Sequence, residues 1–145
     1  VELWCFVGVV VYYHVSEVAL VLWLTPEEFG VESLLVTREY FAAMMLGLIE
    51  FWSEDAFAPW LRSSARVLTL PLGLALTLMG DSIRKAAWLT ARHAFTHKIK
   101  LQRRDHHALV THGIYSWCRH PGYFGWLLWS VGTQVLLSNP LCSAL

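Results

Sequence analysis

Residues 3–24 read LWCFVGVVVYYHVSEVALVLWL, an apolar run that is broken only by His14 and Glu17. A helix of this length rises about 1.5 Å per residue and can cross a bilayer core of about 30 Å. The whole chain is similarly apolar, with 56% hydrophobic and 15% charged residues, against about 25% charged residues in soluble proteins. The run therefore predicts a membrane-spanning helix.

Three further apolar segments follow this run, at about 37–52, 67–80 and 123–138. The segment 67–80 has no charged residue, and we expect it to continue as an amphipathic helix through Trp88 or Leu89. Arg84 and Lys85 would then emerge at the membrane interface, where long basic side chains reach the headgroups. Together the segments predict an all-α integral membrane protein, a bundle of about four membrane helices with the lipid bilayer as its surroundings.

The charges are segregated along the chain although they sum to zero. Seven basic and no acidic residues lie between Arg84 and Arg104, whereas seven acidic residues and one basic residue lie between Glu27 and Asp55. Short loops rich in Lys and Arg stay on the cytoplasmic side of a membrane. We therefore expect residues 84–120 to face the cytoplasm, and the neutral balance gives no reason to expect a nucleic-acid partner.

A polar stretch at residues 105–125 reads DHHALVTHGIYSWCRHPGYFG and is the strongest candidate for chemistry. Gly113 suits a turn that needs a positive φ angle. Pro121 suits the first turn of the fourth helix, after an extended His120. The backbone N–H groups at a helix start have no partner within the helix, so they would hold a carboxylate such as that of an amino-acid-like cofactor.

Six histidines between residues 93 and 120 raise the alternative of a metal site: His93, His97, His106, His107, His112 and His120. Their spacings fit no familiar zinc pattern. His93 and His97 are four residues apart but lack the Glu of an H-E-x-x-H motif. We therefore expect no metal. Glu50 is an ambiguous acidic residue, because carboxylates at membrane depth are often functional but this one would also fit at the interface.

Residues 107–126 match the pattern H-x-L-V-T-x-G-x-Y-x-W-x-R-H-P-x-Y-x-G-W, which closely resembles the signature of the isoprenylcysteine carboxyl methyltransferase family. The resemblance continues through Trp129–Val135 and the Asn139-Pro140 turn. It extends back to 81–87 and 95–97, and more loosely to 48–52. The core of the pattern is shared by a broader set of membrane methyltransferases, and the flanking matches favour the prenylcysteine enzyme.

The resemblance implies a multi-pass protein of the endoplasmic reticulum membrane with its cofactor site on the cytoplasmic side. Such enzymes transfer a methyl group from S-adenosyl-L-methionine to the carboxylate of the prenylated C-terminal cysteine of processed CaaX proteins, forming a methyl ester. The cofactor-binding residues that it implies are Lys100, His107, Ala108, Leu109, Val110, Tyr115, His120, Pro121, Gly122 and Tyr123. Lys100 stands where the family commonly has Gln, and Gly122 where it usually has Ser.

The resemblance also implies a single membrane methyltransferase domain over 1–145 that is incomplete at its C-terminus. We expect transmembrane helices in 1–92, a cytoplasmic cofactor-binding segment in 93–121, a transmembrane helix in 122–138 and the start of a return helix in 139–145. Family members continue with that helix and a polar tail, which supplies an Arg for the substrate carboxylate and a Glu for the cofactor. Without that helix, we expect the face of Gly125, Trp129 and Gly132 to meet lipid.

Two other functions stay open from the sequence. One is a related membrane methyltransferase that acts on a lipid amine, since the core pattern is shared. The other is a catalytically inactive membrane fragment, because the residue that would bind the substrate carboxylate is expected beyond Leu145.

Overall fold

The computed structural model describes residues 1–95 and 109–144, and every regular element in these ranges is helical. Five α-helices follow the chain order: α1 Glu2–Leu24, α2 Arg38–Phe57, α3 Pro59–Ala91, α4 Pro121–Leu136 and α5 Pro140–Ala144. Short 3-10 turns lie at Pro26–Glu28, Val31–Leu34, Arg92–Ala94 and Gly113–Ser116. The all-α fold expected from the sequence is confirmed for the described residues.

The helix starts follow local chemistry. The Thr37 hydroxyl accepts a hydrogen bond from the Tyr40 amide at 3.1 Å and so caps α2. Pro59 and Pro121 occupy the first helical position of α3 and α4, where the missing proline N–H costs nothing. The α4 start agrees with the prediction, whereas α3 begins before the predicted start at Val67. Nothing in the residues ahead of Val67 indicated that their polar side chains would be paired inside the bundle.

Two helices are long and apolar enough to cross a membrane, Glu2–Leu24 and Arg62–Ala91. Helix α4 has 16 residues, or about 24 Å of rise, which is less than the thickness of a bilayer core. Helix α2 has 20 residues but contains several charged side chains. Length and composition therefore support two spans, and the count of about four membrane helices stays a prediction.

Two buried ion pairs show how the long helices lie relative to one another. Glu2 of α1 contacts Arg62 of α3 at one end, here called the far end, and Glu17 contacts Arg84 at the other, here called the site end. Helices α1 and α3 therefore run in the same direction. Helix α4 runs the opposite way, because Gly122 at its start contacts Arg84 and Leu137 just after its end contacts Arg62.

The closest packing in the bundle is between α3 and α4, and it depends on glycine. A Cβ atom on Gly125 would lie 2.5 Å from the Gly80 carbonyl oxygen, and one on Gly132 would lie 2.7 Å from the Thr77 amide nitrogen. Trp129 on the same face is 1% exposed. The expectation that this face meets lipid was wrong. Helix α3 covers it, because small residues let two helix backbones approach closely.

The glycine contact allows a direct test by substitution. We expect Gly125→Ala to lower the free energy of unfolding in detergent by about 1–3 kcal/mol, because the new methyl group would meet the backbone of Gly80 and Arg84. The matched control is Gly8→Ala in α1, where a Cβ meets nothing within 4 Å. That control should be neutral or slightly stabilising. Equal stability of the two variants would show that the α3–α4 contact is looser than described.

The far end is held together by a buried arginine. Arg62 is 3% exposed, and its side chain bonds to the Glu2 carboxylate at 3.2 Å and to the Phe51 carbonyl oxygen at 2.6 Å. It also donates to the Leu137 carbonyl oxygen, and its guanidinium carbon lies 3.6 Å from the centre of the Phe51 ring. One side chain thus joins α1, α2, α3 and the end of α4.

The Asn-Pro turn after α4 is fixed by α2. The Asn139 side-chain amide donates to the Gly47 carbonyl oxygen at 2.8 Å and to the Gln134 side-chain oxygen at 3.0 Å. The Glu50 carboxylate accepts hydrogen bonds from the amides of Leu141 and Cys142 at 2.7 and 2.8 Å. Glu50 therefore caps the start of α5, which resolves its ambiguity in favour of a structural role.

Candidate functional site

The site end of the bundle is organised around the start of α4. His120 adopts a non-helical backbone conformation, with φ −131° and ψ 60°, and Pro121 then begins the helix. The first intrahelical bond runs from the Phe124 amide to the His120 carbonyl oxygen at 3.0 Å. The preceding amides, those of Gly122 and Tyr123, point out of the helix start and carry partial positive charge. Pro121 and Gly122 are buried, whereas His120 and Tyr123 are exposed.

A buried ion pair lies directly behind this helix start. The Arg84 guanidinium donates two hydrogen bonds of 3.0 Å to the Glu17 carboxylate and one of 3.3 Å to the Gly122 carbonyl oxygen. The expectation that Arg84 emerges at the interface was wrong, since it is 7% exposed and Glu17 is 1% exposed. The Glu17 charge draws it inward, because a charge held within a membrane needs a partner.

Arg84 and Glu17 are the two site-end residues that the sequence reasoning missed. The signal was present in the sequence: Glu17 is a lone carboxylate in an otherwise apolar helix, and such a residue usually has a basic partner. Lys85, the neighbour of Arg84, packs against its own helix, where its ammonium group pairs with the Asp81 carboxylate one helical turn earlier. The sequence predicted that Lys85 emerges at the membrane interface. In the structure its side chain is half-buried.

A turn before α4 brings Tyr115 to the same end. Gly113 has φ +59°, as predicted, and a Cβ there would lie 3.0 Å from the Thr90 side chain. The Tyr115 amide closes the turn onto the His112 carbonyl oxygen at 3.2 Å. Burial raises the pKa of the Tyr115 hydroxyl above its usual value, although the positive charge of Arg84 acts in the other direction. The hydroxyl is therefore protonated at neutral pH and can donate a hydrogen bond.

Two aromatic rings line the helix start on the α3 side. Trp88 and Phe95 stack with their ring centres 4.9 Å apart, and Phe95 lies 5.6 Å from the Arg84 guanidinium carbon. A Cβ on Gly122 would lie 2.9 Å from the Phe95 ring. The ring thus fills the space that the side chain of a serine would need, which gives a physical reason for Gly122 where Ser is usual.

The described structure brings together only part of the predicted set of site residues. Tyr115 and the run 120–123 lie at one end of the bundle, beside Arg84. Leu109 is 89% exposed and Val110 is half-buried. Lys100, His107 and Ala108 lie outside the described residues. Within residues 1–95 and 109–144, no group of three or more His, Cys, Asp or Glu side chains is placed to hold a metal ion.

The chemistry of these groups suits binding and orientation of an anionic molecule. The helix start offers backbone N–H groups, and Tyr115 offers a protonated hydroxyl. Arg84 is 7% exposed and bonds to Glu17 and the Gly122 carbonyl oxygen, so it supports the backbone at the helix start. The described residues at this end contain no Ser-His-Asp or Cys-His arrangement of the kind that nucleophilic catalysis uses.

Comparison with known proteins identifies relatives of the whole described fold. Residues 73–145 match the model of the isoprenylcysteine carboxyl methyltransferase family. The chain is 43% identical over 132 residues to protein-S-isoprenylcysteine O-methyltransferase A of Arabidopsis thaliana, covering 90% of the chain and 66% of that protein. It is 39% identical over 132 residues to protein-S-isoprenylcysteine O-methyltransferase of Mus musculus, covering 90% of the chain and 46% of that protein.

A solved structure of the eukaryotic intramembrane Ras methyltransferase isoprenylcysteine carboxyl methyltransferase has the same fold. It superposes with a TM-score of 0.91 at 34% identity, covering 99% of this chain and 51% of that one. The chain thus spans about half the length of that protein and under half that of the mouse relative. An intramembrane relative agrees with the two helices of spanning length. On the family match, the identities and this superposition, the chain belongs to the isoprenylcysteine carboxyl methyltransferase family.

Proposed function

We propose that this protein methylates the C-terminal carboxylate of a prenylated cysteine, using S-adenosyl-L-methionine as the methyl donor. The observation that carries the proposal is the placement of the family signature. Residues 120–123 of that signature form the start of α4 and Tyr115 lies in the turn before it. The buried Glu17–Arg84 pair supports the backbone at this helix start. The same fold is shared with a solved Ras methyltransferase.

The donor set at the start of α4 fits the cofactor. S-adenosyl-L-methionine supplies an activated methyl group when it is bound, and it carries an amino-acid carboxylate. The amides of Gly122 and Tyr123 would hold that carboxylate, and the Tyr115 hydroxyl would donate a further hydrogen bond. The proposed set also includes His120 and Pro121, with Leu109 and Val110 and, beyond the described residues, Lys100, His107 and Ala108.

The reaction requires little acid–base chemistry from the protein. A substrate carboxylate has a reference pKa of about 4 and is ionised at neutral pH, so it needs no general base. The chain has to bind the two reactants, align the oxygen with the methyl group and keep water away. The apolar wall of Trp88 and Phe95 beside Gly122 would exclude water on one side. The prenyl group would enter sideways from the bilayer, between helices.

Cofactor binding provides the first test. We expect His120→Ala and Tyr115→Ala to weaken S-adenosyl-L-methionine binding about tenfold or more, which corresponds to about 1.4 kcal/mol, while prenylcysteine binding changes less. Each ligand would be titrated separately in lipid nanodiscs. The matched control is Trp60→Ala, since Trp60 is 71% exposed and lies at the far end. Unchanged cofactor affinity in both site variants, with the helical signal intact, would contradict the proposed assignment.

The substrate class is tested by turnover. We expect labelled methyl groups from the cofactor to appear on a small prenylcysteine in lipid vesicles when a version extended towards the length of its relatives is assayed. Residues 1–145 alone are not expected to sustain this turnover. Methylation of phosphatidylethanolamine in place of prenylcysteine would favour the lipid-amine alternative. Comparing the turnover of residues 1–145 with that of the extended version tests whether residues 1–145 are sufficient for activity. The division of the chain into 1–92, 93–121, 122–138 and 139–145 stays a prediction.

We further propose that the site end faces the cytoplasm, in the endoplasmic reticulum membrane. The basic residues between Arg84 and Arg104 support this orientation, because short basic loops are retained on that side. In a variant whose native cysteines are replaced by Ser, an impermeant thiol reagent should label Arg119→Cys in sealed microsomes. The same reagent should label Trp60→Cys only after permeabilisation. The reverse pattern would place the site end in the lumen.

A further inference from the structure

Four aromatic side chains meet in the interior of the bundle, between α1, α2 and α4, and form what is here called the four-ring cluster: Tyr13, His14, Tyr40 and Trp129. Tyr13 stacks on Trp129 with ring centres 4.1 Å apart. His14 contacts Tyr13 and Tyr40 edge-on, each at 5.3 Å, and Trp129 at 6.4 Å. Tyr13 and Trp129 are each 1% exposed.

Each ring of the four-ring cluster carries a buried polar atom that makes no hydrogen bond within the described residues. These atoms are the hydroxyls of Tyr13 and Tyr40, His14 Nε2 and Trp129 Nε1. A buried polar atom left without a partner costs about 1–3 kcal/mol, and almost all such atoms in proteins have one. Four of them in one connected cluster indicate a site that binds a polar group.

The hydrogen-bonding roles of these atoms define the group that would fit. His14 Nδ1 lies 2.8 Å from the Val10 carbonyl oxygen, which only accepts, so Nδ1 carries the proton. In the neutral ring Nε2 is then an acceptor. Trp129 Nε1 is a donor only, and the two phenol hydroxyls can act in either role. The ligand must therefore both donate and accept.

A hydroxyl group meets this requirement, whereas a carbonyl oxygen, a carboxylate and a hydrocarbon do not. A carbonyl or carboxylate oxygen would accept from Trp129 but would leave His14 Nε2 unpaired. A carboxylate would also need a cation, and Arg84, which lies 6.0 Å from the Tyr13 ring, is already paired with Glu17. A hydrocarbon would satisfy none of the four atoms.

We propose that the four-ring cluster is a hydroxyl-binding site inside the membrane bundle, distinct from the cofactor site and independent of the proposed methyl transfer. The hydroxyl belongs either to water or to a lipid alcohol. Both fit the donor and acceptor set, and His14 and Tyr40 are the half-buried members of the cluster.

The test follows the indole proton of Trp129 by nuclear magnetic resonance, in the full chain labelled with ¹⁵N in nanodiscs. The resonance is assigned by its loss in Trp129→Phe, and Trp126→Phe on an exposed part of α4 is the control that leaves it in place. We expect magnetisation transfer between this proton and a hydroxyl proton, together with a His14 Nε2 shift typical of an acceptor. Tyr13→Phe and the milder Tyr40→Phe should move both signals.

Adding 1-decanol separates the two sources of the hydroxyl. Transfer from water that decanol does not change identifies a water site. Replacement of the water contact by the decanol hydroxyl identifies a site for a lipid alcohol. The proposal would be overturned if the Trp129 indole proton showed no contact with a hydroxyl in either sample and neither tyrosine variant moved the His14 signal.

Discussion

Arg84→Met is expected to lower the free energy of unfolding by about 3–5 kcal/mol, which is the usual cost of breaking a buried ion pair by removing one partner. The reason is the position of Glu17, which is 1% exposed and has both carboxylate oxygens bonded to Arg84 at 3.0 Å. Once Arg84 is removed, a charged carboxylate remains in an apolar interior. Thermal or denaturant unfolding of the chain in detergent would measure the loss.

A double substitution distinguishes an ion pair from a simple packing effect. In Glu17→Met combined with Arg84→Met, both charges are gone and two apolar side chains of similar length remain, so much of the lost stability should return. Arg38→Met is the single control, because Arg38 is an exposed residue at the start of α2. A double variant as unstable as Arg84→Met alone would mean that the charges are not the cause.

The same variants report on the cofactor site. The double variant keeps the interior neutral but removes the bond from Arg84 to the Gly122 carbonyl oxygen. We therefore expect it to recover stability while cofactor affinity stays reduced. Recovery of both would show that Arg84 does not position the start of α4.

Arg62→Met at the far end is expected to lower the free energy of unfolding by about 3 kcal/mol, since hydrogen bonds to charged groups contribute about 1.5–3 kcal/mol each. The substitution leaves the buried carbonyl oxygens of Phe51 and Leu137 without their donor. The loss is limited because the Glu2 carboxylate keeps its bond to Arg66 at 2.6 Å. Unfolding in detergent is again the measurement.

Arg66 provides the comparison for Arg62. Its side chain is 47% exposed and bonds only to Glu2 among the described residues. Arg66→Met should therefore cost about 1 kcal/mol or less, as partly solvated pairs do. If Arg66→Met were the more damaging of the two, the main support of Glu2 would be Arg66, and the four-helix junction at Arg62 would be unimportant.

The sequence predicted those parts of the fold that local chemistry determines. The apolar run at 3–24 became α1, Pro121 began α4, and Gly113 adopted a positive φ angle. The family resemblance is confirmed by the family match and the superposition. These features depend on residues that are close together in the chain, so a single sequence is enough to recognise them.

Features that depend on distant partners were not predictable in the same way. Glu17 and Arg84 are separated by 67 positions and Glu2 and Arg62 by 60, so nothing near Arg84 indicates that it is drawn inward. The Gly125 face likewise had a clear requirement for a close neighbour but no indication of which helix supplies it. The assignment of cofactor contacts to Lys100 and to residues 107–110, 115 and 120–123 stays a prediction that binding measurements would decide.

The two carboxylates of α1 also bear on how the protein is made. Glu17 leaves the ribosome 67 positions ahead of Arg84, and at about 5–20 residues per second the delay is about 3–13 s. During this interval Glu17 is an unpaired carboxylate within α1, and a charged side chain costs up to about 2.5–3.5 kcal/mol in a helix that faces lipid. The insertion machinery would then have to shelter α1 until α3 arrives. Helices α1 and α3 would then enter the bilayer as a pair, and insertion of α1 would depend on pairing its carboxylates with the arginines of α3.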